Sequence, residues 1–283
     1  MKNDVFITGT SCYFPNKPVS NEDMEDFLGL ITGKHSRVKP VILKQNGIKQ
    51  RYYALTKEQK ITHTNAEMAV NSILQLLKNS DISNSEIELL SCATSSPDQM
   101  LPSHASMVHG LLKNKPLEIF SASGICLSCL QAFKTAFWGV LSGEKRNAIC
   151  STSELTSATL LSKNYDIEYE KCADLGVQPY MALEKDFLRF MLSDGASAVL
   201  LQDNPGNGKA LHVEWVEMTS YANELPTCMY MGAERKENGE LKSWKSFNNL
   251  ERTEQSLFVV KQDVKLLGAH AVPYWAKHIK YCL

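Results

Sequence analysis

The chain has 283 residues, 43% of them hydrophobic and 22% charged, ordinary values for a globular protein that buries a core in one large or two modest domains. Its 30 basic and 31 acidic residues leave a net charge of −1 without a long basic run, which excludes the electrostatic footprint of a nucleic-acid binder and favours small molecules or protein surfaces as partners. No stretch approaches the roughly 18 uninterrupted apolar residues that span a bilayer, and the opening MKNDVFITGTSCYFP, interrupted by Asn3 and Asp4, is too short in apolar residues for a secretion signal. The expected location is therefore the cytoplasm.

In chain order, Val5 to Gly9 reads as a strand stopped by glycine. Ser20-Asn21-Glu22-Asp23 reads as a capping box that opens a short helix through Leu28. Ala66, Ala69, Val70, Ile73, Leu76 and Leu77 recur at helical spacing and predict an amphipathic helix. Ile87 to Ala93 reads as a strand, and Pro102 to Leu112 as a helix with the proline in its first turn. Leu117 to Ser121 reads as a strand. Leu127, Leu130, Phe133, Phe137 and Val140 then mark a helix that Gly143 is placed to stop. Asn147 to Ser151 reads as a strand, and Ala196 to Leu201 as another after a turn at Asp194-Gly195. This alternation predicts an α/β protein with a largely parallel sheet and helices on its faces. Asp203 to Lys209, polar with one proline and two glycines, is the best linker, dividing the chain into 1–205 and 206–283.

The chemistry concentrates in Ser121-Ala122-Ser123-Gly124-Ile125-Cys126-Leu127-Ser128-Cys129. A strand runs through small residues straight into a helix, with Cys126 at the junction. A helix N-terminus presents unpaired N–H groups and a partial positive charge, which favour thiolate over thiol and can steady an oxyanion. Cysteine is also a common core filler, and Cys129, one turn on, suits that role. A redox pair Cys126-x-x-Cys129 is a further reading. Zinc is weaker, because no second Cys or His pair stands at ligand spacing. The remaining cysteines, Cys12, Cys92, Cys150, Cys172, Cys228 and Cys282, are scattered and read as reduced thiols.

Several segments, in order, resemble β-ketoacyl-acyl-carrier-protein synthase III, a thiolase-fold condensing enzyme. They are Ile7-Thr8-Gly9-Thr10 with Tyr13-Phe14-Pro15, Asn46-Gly47-Ile48-Lys49-Gln50-Arg51, Ala93 to Asp98 with Pro102-Ser103, Phe120 to Cys126, and Ser193 to Leu200. The resemblance implies a thiolase-like layered fold, with the first half complete and the second partial. It implies that Cys126 takes an acyl group from acyl-CoA or acyl-carrier protein. A malonyl thioester, usually malonyl-acyl-carrier protein, then loses carbon dioxide and attacks the acyl-cysteine, with no cofactor. It also implies a homodimer, in which the loop from Ala93 to Ser103 reaches the partner's acyl pocket, with Met100 and Leu101 as candidate pocket residues.

The chain departs from the family pattern in three places. The family's second half supplies a Pro-His histidine and an asparagine opposite the cysteine. None of His35, His63, His104, His109, His212, His270 and His278 follows a proline. All of His104, His109, His270 and His278 read as surface or capping residues. The chain is thus expected to be a fragment, a natural truncation, or one part of a split enzyme, and a catalytically incomplete partner subunit is the alternative function. The family's tryptophan and arginine that grip CoA are missing around Val41 to Gln45, which leaves Lys44, Lys49 and Arg51 as candidates to meet phosphate. Finally, Thr156 to Arg189 is longer than expected, which suggests a shaped acyl channel and a specialised lipid pathway.

Overall fold

The computed structural model describes residues 3–174 and 187–283. Strand β1 (Phe6–Tyr13) is followed by β2 (Val19–Ser20), helix α1 (Met24–Leu28), helix α2 (Lys39–Asn46) and β3 (Gln50–Arg51), which pairs with β2. Then come α3 (Asn65–Lys78), β4 (Leu89–Ala93), α4 (His104–Leu112), β5 (Glu118–Ala122), α5 (Ser128–Leu141), β6 (Asn147–Glu154), α6 (Asp166–Asp174), β7 (Gly195–Gln202) and β8 (Leu211–His212).

The main sheet has the order β5-β4-β6-β7-β1-β8. Only β5, β4 and β6 are mutually parallel. β7 runs antiparallel to β6 and to β1, and β8 antiparallel to β1. The expectation of a largely parallel sheet is corrected here. Helices α4 and α5 each carry the chain back across the sheet between parallel strands. The connection from β6 to β7 instead leaves and re-enters at the same end, so β7 runs backwards beside its predecessor.

The α3 prediction holds to within a residue at each end. Thr64 and Glu67 form a reciprocal capping box, with the Glu67 N–H donating to Thr64 Oγ1 at 3.2 Å and the Thr64 N–H to Glu67 Oε2 at 2.8 Å. Its apolar stripe, with Ile73 and Leu76 fully buried, packs with α4 on Leu90, Cys92, Ile149 and Leu200. Helix α5 covers the opposite face, against Leu89, Ala93, Ala148, Cys150 and Leu201. Neighbours such as Leu89 and Leu90 thus bury to opposite sides, as the pleat of a strand requires.

Two helix starts differ from expectation. Ser20 sits in β2 and exchanges hydrogen bonds with Asp23, so α1 begins only at Met24. Pro102 precedes the N-cap Ser103 instead of entering the first turn of α4. Gly143, with φ 81°, does follow the end of α5, in the left-handed region that favours glycine.

The segment after Gln202 stays tied to the sheet. Leu211–His212 pairs with Phe6 and Ile7, and the Val213 N–H donates to Val5 O at 2.8 Å. The final helix, Val264–Cys282, is N-capped by Asp263 and buries none of its residues. His270 and His278 lie on it half-exposed, the latter 3.1 Å from Thr219 Oγ1. No described helix is long and apolar enough to cross a membrane. Of the long Thr156–Arg189 segment, residues 175–186 lie outside the described residues, as does the side chain of Cys172. The other seven cysteines are free thiols.

Candidate active site

The parallel strands β4, β5 and β6 all finish at one edge of the sheet, the edge at which open α/β sheets assemble their sites. From β5 the chain passes through Ser123 and Gly124, turns at Ile125 to Leu127, and enters α5 at Ser128. Gly124 holds φ at 138°, which a side chain rarely tolerates, and a Cβ there would meet nothing within 4 Å. Cys126 is exposed on this turn. Among the described residues its N–H donates to no acceptor, which leaves that donor free beside the sulfur.

Cys126 opens into a cavity of about 500 Å³, within the size range of small-molecule sites. Phe14, Ile125, Leu192, Met229 and Val260 supply its apolar walls, which suit an acyl chain. Cys129, expected to be a core filler, is exposed and lines the same cavity. Its Sγ donates to Cys126 O at 3.1 Å. Burial pushes its pKa up, the nearby N–H of Leu130 offsets this only in part, and Cys126 and Glu154 add to the rise. The raised pKa makes Cys129 a poorer nucleophile, and the candidate is Cys126, exposed on the turn itself. Cys92 and Cys150 are core residues, and burial pushes Cys150 up to about 12.

A network absent from the motif reading holds the turn. Glu154, the last residue of β6, accepts from the Ser95 N–H at 2.7 Å, the Ser96 hydroxyl at 2.6 Å and the Thr94 hydroxyl at 3.4 Å. Ser95 Oγ in turn donates to Gly124 O at 3.1 Å. On the other side, Asp98 accepts from the N–H groups of Asn65 and Ala66 at 2.7 and 2.9 Å, at the start of α3. The loop 94–98 is thereby pinned to β6, to α3 and to the Cys126 turn together. The position of Glu154 at the end of a buried strand was the available sequence signal. Asp194, 2% exposed, closes the same region by accepting from the Ala54 N–H at 2.7 Å and the Ser157 N–H at 2.8 Å.

The remaining candidates are not gathered at Cys126. Lys44 is exposed on α2 and does not line the cavity. Arg51, expected to meet phosphate, is 1% exposed; its Nη1 donates to Asn21 Oδ1 at 2.8 Å and its Nη2 to Phe190 O. The β2–β3 ribbon folds it inward, so both its terminal nitrogens bond to protein acceptors and its buried Nε has no partner. Met100 and Leu101 point to solvent, 68% and 84% exposed, and line no wall of this cavity. His104 corrects the surface reading: it is 3% exposed, with Nε2 3.0 Å from Ser153 Oγ and Nδ1 without a partner. His109, half-exposed, has its Nε2 3.3 Å from Lys115 O. Neither histidine nor asparagine lines the Cys126 cavity among the described residues, and none of their His, Cys, Asp and Glu side chains form a group of three able to hold a metal.

No protein-family model matches the chain. Its sequence is similar to the β-ketoacyl-[acyl-carrier-protein] synthase III of Clostridium acetobutylicum, at 29% identity over 158 residues, covering 56% of this chain and 45% of that protein. The enzyme of the same name from Limosilactobacillus reuteri is 29% identical over 196 residues, covering 69% of this chain and 50% of its own. The chain is thus similar in sequence to several β-ketoacyl-acyl-carrier-protein synthases III. It spans about half the length of the synthases it matches. Among solved structures, the tetronic acid condensing enzyme AbyA1 superposes with a TM-score of 0.70 at 19% identity, covering 99% of this chain and 74% of AbyA1. A Xanthomonas campestris OleA variant with bound lauric acid and lauroyl-CoA superposes at 0.52 with 18% identity, covering 71% of this chain and 57% of OleA. The fold is the thiolase-like fold of these condensing enzymes.

Proposed function

We propose that this synthase III relative is an acyltransferase in which Cys126 forms a thioester with an acyl group taken from acyl-CoA or acyl-carrier protein. The observation that carries the reading is an exposed thiol at a strand-to-helix turn, opening into an apolar cavity of about 500 Å³. The sulfur attacks the thioester carbonyl, the carrier thiolate leaves, and in this reading the Cys126 N–H donates to the oxyanion. Condensation with a malonyl thioester follows, giving a β-ketoacyl thioester in fatty-acid or specialised lipid synthesis. Its developing enolate needs donors, and the cavity's described lining offers neither histidine nor asparagine. That observation favours one second reading, a thiolase-fold partner subunit that completes its site with another polypeptide.

Intact mass before and after incubation with acyl-CoA tests the first step. The chain should gain one acyl group, and Cys126→Ala should gain none. A gain that survives in Cys126→Ala removes Cys126 from the role, and no gain in the native chain moves the partner-subunit reading ahead.

We further infer a homodimer that buries the exposed loop bearing Met100 and Leu101, the segment that in the synthases reaches the partner's pocket. Sedimentation should then show twice the 31.7 kDa chain mass, collapsing to the single mass in Met100→Asp/Leu101→Asp. A native chain that sediments as a monomer at micromolar concentration excludes it.

A further inference from the structure

Three thiols meet in one place. Cys12, Cys126 and Cys129 all line the cavity of about 500 Å³, and all three are exposed. Acyl transfer uses only Cys126. Cys92 and Cys150 lie in the core, at 0% and 4% exposure, beyond the reach of a solute. Cys126 on the turn and Cys129 in the first turn of α5 are three positions apart, the spacing of neighbours on one helical face, whose Cβ atoms stand about 5–6 Å apart. Helical side chains lean toward the N-terminus, and that of Cys129 does so: its Sγ lies 3.1 Å from Cys126 O. A disulfide requires Cβ atoms about 3.5–4.5 Å apart, so closing one here needs a shift of about 1–2 Å.

The turn from Ile125 to Leu127 is the segment that absorbs this shift. It is closed by the Ser128 N–H, which donates to Ile125 O at 3.2 Å, and it follows Gly124, around which a Cβ would meet nothing within 4 Å. Cys12 is held differently. The ladder fixes it opposite Ser197 of β7, and Ser197 opposite Thr152 of β6. Two strand spacings of about 4.8 Å each therefore separate Cys12 from β6, the strand against which α5 packs. Of the two neighbouring thiols, Cys129 is the one within reach of the Cys126 sulfur. Burial holds the Cys129 pKa up, which makes it the poorer first target for a peroxide.

We propose that Cys126 and Cys129 form a reversible oxidation site, in which a peroxide oxidises Cys126 and Cys129 captures it as a disulfide across the turn. The Cys126 sulfur attacks one oxygen of hydrogen peroxide, the O–O bond breaks, one water leaves, and Cys126 becomes a sulfenic acid. The Cys129 sulfur then attacks the Cys126 sulfur. The S–O bond breaks, and the sulfenic oxygen leaves as a second water with the Cys129 proton. A dithiol reductant restores both thiols by exchange. Without the capture, further peroxide carries Cys126 to the sulfinic and sulfonic acids, which a dithiol does not reduce. The disulfide does not depend on acyl transfer. Its consequence, a cavity that takes no acyl group while oxidised, rests on the acyl-transfer reading of Cys126.

The reduced native chain, Cys129→Ser and Cys12→Ser are treated with hydrogen peroxide and then alkylated. Intact mass and peptide maps without reductant follow, with circular dichroism as the fold control. The native chain should lose two hydrogens, and its Cys126 and Cys129 should escape alkylation until dithiothreitol is added. Cys12→Ser should behave in the same way. Cys129→Ser should instead gain oxygen at Cys126 that dithiothreitol fails to remove after long exposure. Incubated with acyl-CoA, the oxidised native chain should gain no acyl group, and dithiothreitol should return the full gain; in Cys129→Ser the gain should stay lost. Full alkylation of Cys126 and Cys129 in the peroxide-treated native chain overturns the proposal. So does a bridge from Cys126 to Cys12, or oxygen added at Cys126 as readily in the native chain as in Cys129→Ser. If Cys129→Ser fails to fold, the native map decides by itself. If the reduced native chain takes no acyl group, acyl transfer falls, and the alkylation map still decides the disulfide. A bridged chain that still gains an acyl group removes Cys126 from acyl transfer and leaves the disulfide standing.

Discussion

Lowering the pH should destabilise this chain through one histidine. His104 is 3% exposed at the start of α4, and burial pushes its pKa from the usual 6.5 down to about 4, with the charge of Asp98 opposing the shift. In the unfolded chain the imidazole titrates near 6.5. Between these values the unfolded state binds a proton that the native state refuses, so stability rises with pH across the window and is lost as pH falls. At pH 7.5 both states are neutral and the contribution is complete. At pH 5 the unfolded histidine is almost wholly protonated and the native one almost wholly neutral, a difference of about 2 kcal/mol. His104→Gln keeps an amide able to bond Ser153 and removes the titration. Urea denaturation of both proteins at pH 7.5 and pH 5 isolates the effect, because the carboxylates that titrate in this range are common to both. The native chain should lose about 2 kcal/mol more than His104→Gln between the two pH values. Equal losses would refute the reasoning and mean that the imidazole reaches solvent or gains a partner in solution.

Two further substitutions separate structural from functional roles. Glu154→Gln places an amide against the donors of Ser95 and Ser96, and should cost about 1–3 kcal/mol in thermal denaturation while slowing Cys126 acylation, because Ser95 no longer steadies Gly124 O. Slowed acylation without lost stability would show that the carboxylate acts on the acyl donor instead of on the loop. Arg51→Gln strips a donor from the buried Phe190 carbonyl and should cost a similar 1–3 kcal/mol, with the half-saturating acyl-CoA concentration unchanged. The reverse pattern, full stability with weakened acyl-CoA use, would return Arg51 to the phosphate grip.

The sequence alone was enough to find the main elements and the strand-to-helix turn that carries Cys126. Strands β4 to β7 and helices α3 to α5 follow from local periodicity and capping residues, which depend on neighbours a few positions away. Cys126 was legible for the same reason: strand, small residues, cysteine and helix are contiguous. What tertiary structure decided depends on distant partners. The reversal of β7 follows from where a long connection lands, which no local pattern encodes. Arg51 looks like any phosphate-seeking arginine until the β2–β3 ribbon folds it onto Asn21 and Phe190, residues 30 and 139 positions away. His104 has the sequence of a helix-start histidine, but β6 brings Ser153 beneath it. Glu154 tethers a loop 58–60 residues earlier in the chain. Burial and hydrogen bonding are properties of the packed chain, so the charge, protonation and availability of each polar side chain were settled only when the sheet and its helices closed around them.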